Sequence, residues 1–226
     1  MNKLAVHPRL DFDRDTFVFL GDYVDGGPQA AQVIDSLMMY QQRHPHWQFL
    51  LGNHEDLMLN ALGVRDTLAN PYIHTGDYYL WYTQGGKETY FSYAERAGLT
   101  DFEKAIAKPA DIIAKGHTDW LCSLPLTFET DSYIFVHAGL RPNETATSTR
   151  DCDKLWIRDE FLTSDYDWGK TVVVGHTYQR TQQPYIAKNL MCLDTMHHGG
   201  GAISAAILDD TKRGEVEIVQ SYSENR

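Results

Sequence analysis

Hydrophobic residues in this chain fall in short, dense blocks that stop abruptly at glycine-containing loops. Thr16-Phe17-Val18-Phe19-Leu20 stops at Gly21-Asp22, and Trp47-Gln48-Phe49-Leu50-Leu51 stops at Gly52-Asn53-His54-Glu55. Tyr133 to Val136 runs into His137-Ala138-Gly139, and Thr171 to Val174 into Gly175-His176-Thr177. Blocks of this length, rich in β-branched and aromatic residues, predict buried strands. Between the first two, Ala30, Val33, Ile34, Leu37 and Met38 recur at helical spacing behind Pro28. That predicts a helix over 30–40 and a strand–helix–strand unit. Ala202 to Leu208 and Glu215 to Tyr222 predict two late strands joined by a polar turn. Residues from about 60 to 125 differ, being rich in Tyr and Trp with Gly85-Gly86 in their midst. They predict a mostly helical insert or cap on one domain spanning 1–226.

The chemistry lies where the blocks end. In open α/β sheets, ligands bind beyond the carboxyl ends of the strands. Four strand ends here carry Asp22, Asn53, His137 and His176, each in a loop that contains a glycine. Singly, Asp22 and Asp25 suit turns, and a lone His137 or His176 suits a satisfied polar position. Jointly, a carboxylate, an amide oxygen and two imidazoles compose a metal site suited to Mn, Fe or Zn rather than to Ca. Asp25 lies three residues beyond Asp22, and His54 follows Asn53. A histidine oriented by a carboxylate can protonate a leaving oxygen.

Composition narrows the field. The 226 residues carry 20 Lys+Arg against 31 Asp+Glu, a net charge of -11, which speaks against a nucleic-acid partner. A phosphate-ester substrate would then need local positive charge, which bound cations supply. No apolar run approaches the ~20 residues of a membrane helix, and no secretory leader opens the chain, so no membrane partner and a cytoplasmic location are expected. Cys122, Cys152 and Cys192 are too few and too scattered for a disulfide framework or a cysteine-ligated zinc. Nothing in the sequence fixes an oligomeric state.

These motifs resemble the phosphoprotein phosphatase branch of the calcineurin-like metallophosphoesterases. Gly21-Asp22-Tyr23-Val24-Asp25-Gly26-Gly27-Pro28 resembles that family's GDxVDRGP, and Gly52-Asn53-His54-Glu55 its GNHE. His137-Ala138-Gly139 resembles HAG and Gly175-His176-Thr177 resembles GHT. Trp81, Gly85-Gly86, Thr89 and Ser92-Tyr93, then Leu155-Trp156-Ile157-Arg158, resemble further stretches of bacterial Ser/Thr protein phosphatases. The resemblance implies a four-layer α/β/β/α sandwich around two divalent metal ions. It implies that Asp22 bridges both ions and that Asn53, His137 and His176 complete the ligand set of the second ion. His54 would be the general acid, oriented by Asp25, while metal-bound hydroxide attacks phosphorus directly. The expected substrate is a phosphoserine or phosphothreonine monoester on a protein, or a small phosphate ester. The alternative is symmetrical hydrolysis of a dinucleoside polyphosphate such as diadenosine tetraphosphate.

Three departures qualify that resemblance. The family opens with a strand and a GDxHG motif holding the first metal, and neither is found here. His7 is a poor substitute, so the expectation is an N-terminal truncation, a sandwich missing its first strand, an incomplete first metal site and possible catalytic impairment. Gly26 stands where most relatives carry a phosphate-gripping Arg, a role that Arg158 or Arg141 could fill because guanidinium binds phosphate bidentately. His197 and His198 interrupt a stretch where relatives carry a short turn, and read as loop residues with a possible ligand role. His117 and Glu55 read as packing or loop-structuring residues. The aromatic cluster Tyr78, Tyr79, Trp81, Tyr82 reads as cap packing, with base stacking left open.

Overall fold

In the computed structural model, every described strand lies in one of two units and the four longest described helices lie in the other. The structure describes residues 7–65, 78–196, 200–212 and 214–222, so His197 and His198 lie outside the described residues.

The helical unit comprises Gly21–Pro45 and Leu51–Pro125. Its helices are α1 (Ala30–Arg43), α2 (Asn53–Ala61), α3 (Tyr78–Trp81), α4 (Lys87–Arg96), α5 (Asp101–Ile106), α6 (Pro109–Ile112) and α7 (Lys115–Ser123). Helix α1 buries Ala30, Ala31, Ile34 and Leu37; of the expected apolar face, Val33 is exposed and Met38 half-buried, and Ala31 takes part in their place. It runs three residues past the expected end because Gln41, Gln42 and Arg43 are good helix formers that carry no hydrophobic signal. A wide π-type turn, Tyr82–Gly86, joins α3 to α4, with Gly85 in a left-handed conformation (φ 106°). Turns of this kind cluster at functional sites. His117 is buried, with Nε2 2.9 Å from Asp35 Oδ1 and Nδ1 2.7 Å from the Tyr93 hydroxyl, linking α7 to α1 and α4. The helical segment expected at about 60–125 thus falls in a unit that also includes Gly21–Pro45.

The sheet unit comprises residues up to Leu20, His46–Leu50 and Leu126–Arg226. Strands β1 (Val18–Phe19) and β2 (Gln48–Phe49) pair in parallel, shorter than their hydrophobic blocks. The flanking residues still serve the ladder, since Gln48 N–H donates to Phe17 O at 2.8 Å and Leu50 N–H to Phe19 O at 2.9 Å. Then follow β3 (Thr127–Glu129), β4 (Tyr133–Val136), α8 (Asp151–Trp156), α9 (Asp159–Leu162), β5 (Thr171–Val174), β6 (Tyr185–Ile186), β7 (Leu190–Cys192), β8 (Ile203–Leu208) and β9 (Val216–Ser221). Five of them form one sheet in the order β3-β4-β5-β7-β6, with β4, β5 and β7 parallel. Strands β8 and β9 form an antiparallel hairpin. His7 Nε2 lies 3.1 Å from Glu217 Oε1 on β9.

Strands β4, β5 and β7 at the centre of the sheet are buried on both faces, which is why they read as unbroken apolar runs. On one face Ile134, Val136, Val172, Val174, Leu190 and Cys192 pack against Ile157 and Phe161 from the helical segment. On the other, Tyr133, Phe135, Val173 and Met191 meet Leu50, Val18 and Leu20 around β1–β2, and Ala206, Leu208 and Val216 of the hairpin. The strict alternation is the period-2 geometry of a strand. The result is a mixed α/β sandwich, with an α/β/β stack inside this unit. Cys122, Cys152 and Cys192 are free thiols. No helix among the described residues is long and apolar enough to cross a membrane.

Candidate active site

The predicted residues fall in two groups, one in each unit. In the helical unit, Asp22 and Asp25 follow β1 in a loop held from below by Glu55. The Glu55 side chain is fully buried at the start of α2. Its carboxylate accepts backbone N–H bonds from Asp22 (2.9 Å), Tyr23 (2.6 Å), Val24 (3.1 Å) and Gly52 (2.9 Å). Four donors on one buried carboxylate set the path of both loops at once. Burial, reinforced by the charge of Asp22, pushes its carboxyl up to about 7. Gly52 is required sterically, because a Cβ there would strike the Asp22 backbone nitrogen and Oδ1. The Glu55 contribution is thus the loop-structuring one expected.

Asp25 and His54 meet in this group. His54 Nδ1 lies 2.8 Å from Asp25 Oδ2. The other carboxylate oxygen, Oδ1, accepts from Trp81 Nε1 (3.1 Å) and from the Thr89 hydroxyl (2.8 Å). Thr89 Oγ1 also accepts the Asp25 N–H at 2.8 Å. Burial raises the Asp25 pKa against the pull of those donors. Burial lowers that of His54, but the hydrogen bond to Asp25 and the charges of Asp22, Asp25 and Glu55 outweigh it and push the imidazole up to about 9. These partners favour the protonated imidazole. Trp81 and Thr89 had no role as clamps on Asp25 in the sequence reading. Their only signal was the W…GG…T stretch, in which Gly85 O also accepts the Gly26 N–H at 3.1 Å. A Cβ at Gly85 would approach Gly26 N to 2.8 Å, so glycine is needed for this contact. Asn53, buried, is the first residue of α2, and the Asp22 Oδ1 accepts the His54 N–H at 3.3 Å.

In the sheet unit, His137 follows β4 directly and His176 lies two residues beyond β5. Because β4 and β5 are parallel neighbours, both histidines emerge at the same end of the sheet, with ring centroids 5.0 Å apart. Both are buried. His137 Nδ1 donates to Leu20 O at 2.7 Å, and since a carbonyl only accepts, the ring's lone pair resides on Nε2. This is the tautomer and orienting bond common to metal-ligating histidines. The Gly175 N–H donates to His137 O at 2.9 Å, tying the two loops together. Backbone strain concentrates at the predicted site. Of the six described non-glycine residues with positive φ, three are Asp22 (60°), Asp25 (70°) and His176 (61°). Such conformations persist where function holds them.

The two candidate phosphate-binding arginines differ. Arg141 has every guanidinium nitrogen engaged: Nε and Nη2 with Asp153 at 2.6 and 3.0 Å, and Nη1 with Glu160 at 2.9 Å. Its bidentate fork is committed to a carboxylate within the fold. Arg158 is exposed, and its Nη1 donates to the His176 carbonyl at 3.1 Å. Gly26 (φ 69°) has open space around its Cα.

A symmetrical bis(5'-nucleosyl)-tetraphosphatase from Janthinobacterium sp. (strain Marseille) is 28% identical over 132 residues, covering 58% of this chain and 36% of that protein. The chain therefore spans about a third of the length of that curated relative. Among solved structures, a candidate diadenosine tetraphosphatase superposes with a TM-score of 0.60 at 18% identity, over 98% of this chain and 87% of that one. A cold-active protein-tyrosine phosphatase of a psychrophilic Shewanella species superposes with a TM-score of 0.50 at 15% identity, over 85% and 64%. These two likenesses concern the fold alone. The sequence profile described as calcineurin-like phosphoesterase matches residues 3–199, and the chain belongs to that family.

Proposed function

We infer that the chain is a metal-dependent phosphoesterase that hydrolyses a dinucleoside polyphosphate. The observation that carries the chemistry is the buried Asp25 carboxylate on His54 Nδ1, which holds a protonated imidazole beside the Asp22 loop. Hydrolysis of a phosphoric anhydride breaks one P–O bond, and the departing phosphate oxygen needs little or no proton. An ester leaving group needs more, and an imidazolium supplies it. The donor set of Asp22, Asn53, His137 and His176 fits a borderline divalent cation, and the Nε2 lone pair of His137 agrees with it. Divalent cations held by these residues would neutralise phosphate charge and activate water. Within the chain, Arg158 grips the phosphate, Asp25 orients His54, and His54 offers its Nε2–H to the departing oxygen, as a hydrogen bond to an anhydride oxygen and as a proton to an ester oxygen.

The substrate class rests on the tetraphosphatase relative, and the sequence motifs of the Ser/Thr phosphatase branch support a phosphoprotein as the second reading. The test is to supply manganese and offer diadenosine tetraphosphate and a phosphoserine peptide in parallel. Symmetrical cleavage consumes one water and yields two ADP. Release of ADP with an inert peptide supports the first reading. Phosphate release from the peptide alone supports the second, and no turnover of either would mean that this chain is catalytically impaired.

A further inference from the structure

A cavity of about 840 Å³ opens in the helical unit, away from the groups assigned to the chemistry. Its size lies in the range of small-molecule sites. Tyr78 and Tyr82 form one wall and Tyr90 and Phe91 another, with Lys104 and Lys108 at the rim. The Tyr78 and Tyr82 rings lie 5.5 Å apart, and those of Tyr90 and Phe91 5.7 Å apart. The second wall is fixed, because the Tyr90 hydroxyl donates to Lys104 O at 2.6 Å and contacts Ala107 O at 3.1 Å. Burial, and then the neighbouring phenols of Tyr82 and Tyr90, push the Tyr78 hydroxyl up to about 12.

The charge at this rim runs against that of the whole chain. Lys104, largely buried, has the exposed Asp101 at 3.7 Å, and Asp101 also lines the cavity, so two lysines face one carboxylate there. Lys108 has no acidic partner among the described residues. Aromatic faces with cations at the edge suit a planar ring that carries an anionic group. Stacking of this kind is tolerant of base identity.

We propose that this cavity binds a nucleoside phosphate, the base between the tyrosines and Phe91 and the phosphate toward Lys104 and Lys108, as the seat for one nucleoside end of the substrate. This rests on the dinucleotide reading above. Contacts link the cavity lining to the acid pair: Tyr78 packs edge-on against Trp81 at 5.7 Å, and Trp81 Nε1 donates to Asp25 Oδ1 at 3.1 Å. One side of the seat is therefore built on the residue that clamps Asp25.

The test is titration of the full chain with AMP, followed by calorimetry, beside adenosine and ribose 5-phosphate. Tyr78→Leu and Lys108→Glu are the variants, both at exposed positions, and melting curves check that each is folded. AMP should bind at least about tenfold more tightly than either fragment, and each folded variant should lose about tenfold in affinity. Failure of the wild-type chain to bind AMP overturns the proposal, as does wild-type affinity in a folded Lys108→Glu. Diadenosine tetraphosphate hydrolysis, assayed separately, keeps the two readings apart. Hydrolysis with unchanged AMP affinity in the variants removes the seat and leaves the reaction. AMP binding lost in the variants, without hydrolysis by the wild type, keeps the seat and removes the substrate assignment.

Discussion

His54 Nδ1 and Asp25 Oδ2 lie 2.8 Å apart across two loops that are 29 residues distant in sequence. The carboxylate is almost wholly buried and the imidazole about a quarter exposed. One partner is thus fixed by the fold, and the other faces outward with the proton.

This pairing predicts a leaving-group dependence. His54→Ala should lower kcat by about 10²–10⁴-fold on alkyl phosphates, where the departing oxygen needs a proton. On an aryl phosphate with an acidic phenol the loss should be much smaller. Steady-state rates across a series of phenol and alcohol leaving groups test it. An equal loss for all members would remove His54 from the acid role.

The two arginines should separate by readout. Arg158→Ala is expected to raise KM for phosphate esters about tenfold, the loss of one or two charge-assisted hydrogen bonds. Arg141→Ala should act on stability instead, because its fork holds Asp153 and Glu160. A fall in melting temperature with KM unchanged is the expected result for Arg141→Ala, and a KM effect there would reverse the assignment.

Acid stability should depend on Asp153. Burial raises the pKa of its carboxyl, but Arg141 and Arg150 outweigh it and hold the folded value below the ordinary 3.8. Between those two values the unfolded chain binds more protons than the folded one, so stability falls as pH falls. The contribution is complete above about pH 5 and disappears as pH drops below 4 through the folded pKa. Asp153→Asn should therefore melt lower than wild type at pH 7, with the two curves converging in acid. Melting temperatures from pH 7 to 3 measure this, and a constant gap would show that the loss is steric.

Metal affinity offers a fourth test. His137→Ala removes an imidazole whose tautomer is set by Leu20 O. Manganese bound per chain, read by elemental analysis or calorimetry after dialysis, should drop sharply, and so should metal-dependent thermal stabilisation. Unchanged binding would show that His137 serves the sheet end alone.

Much of this was legible along the chain. Strand β4 (Tyr133–Val136) and strand β5 (Thr171–Val174) match their hydrophobic blocks residue for residue, because strands buried on both faces leave no polar interruption in the sequence. The Asp, Asn and His residues of the glycine-containing loops stood out as candidates for a similar reason, since tight strand-end loops leave few residue types able to serve there. Strand β1 and strand β2 were overdrawn, as hydrophobicity reports burial and ladder pairing only indirectly. The commitment of Arg141 to Asp153, the dual clamp of Trp81 and Thr89 on Asp25, and the aromatic cavity with its lysine rim were not legible. Each depends on contacts between residues 12 to 64 apart, or between separate helices, and the residue types involved are compatible with many other roles. Local pattern specifies which segments are buried and which loops carry reactive groups. Only packing specifies which donor meets which acceptor, because that choice depends on through-space distance, which the order of residues does not encode.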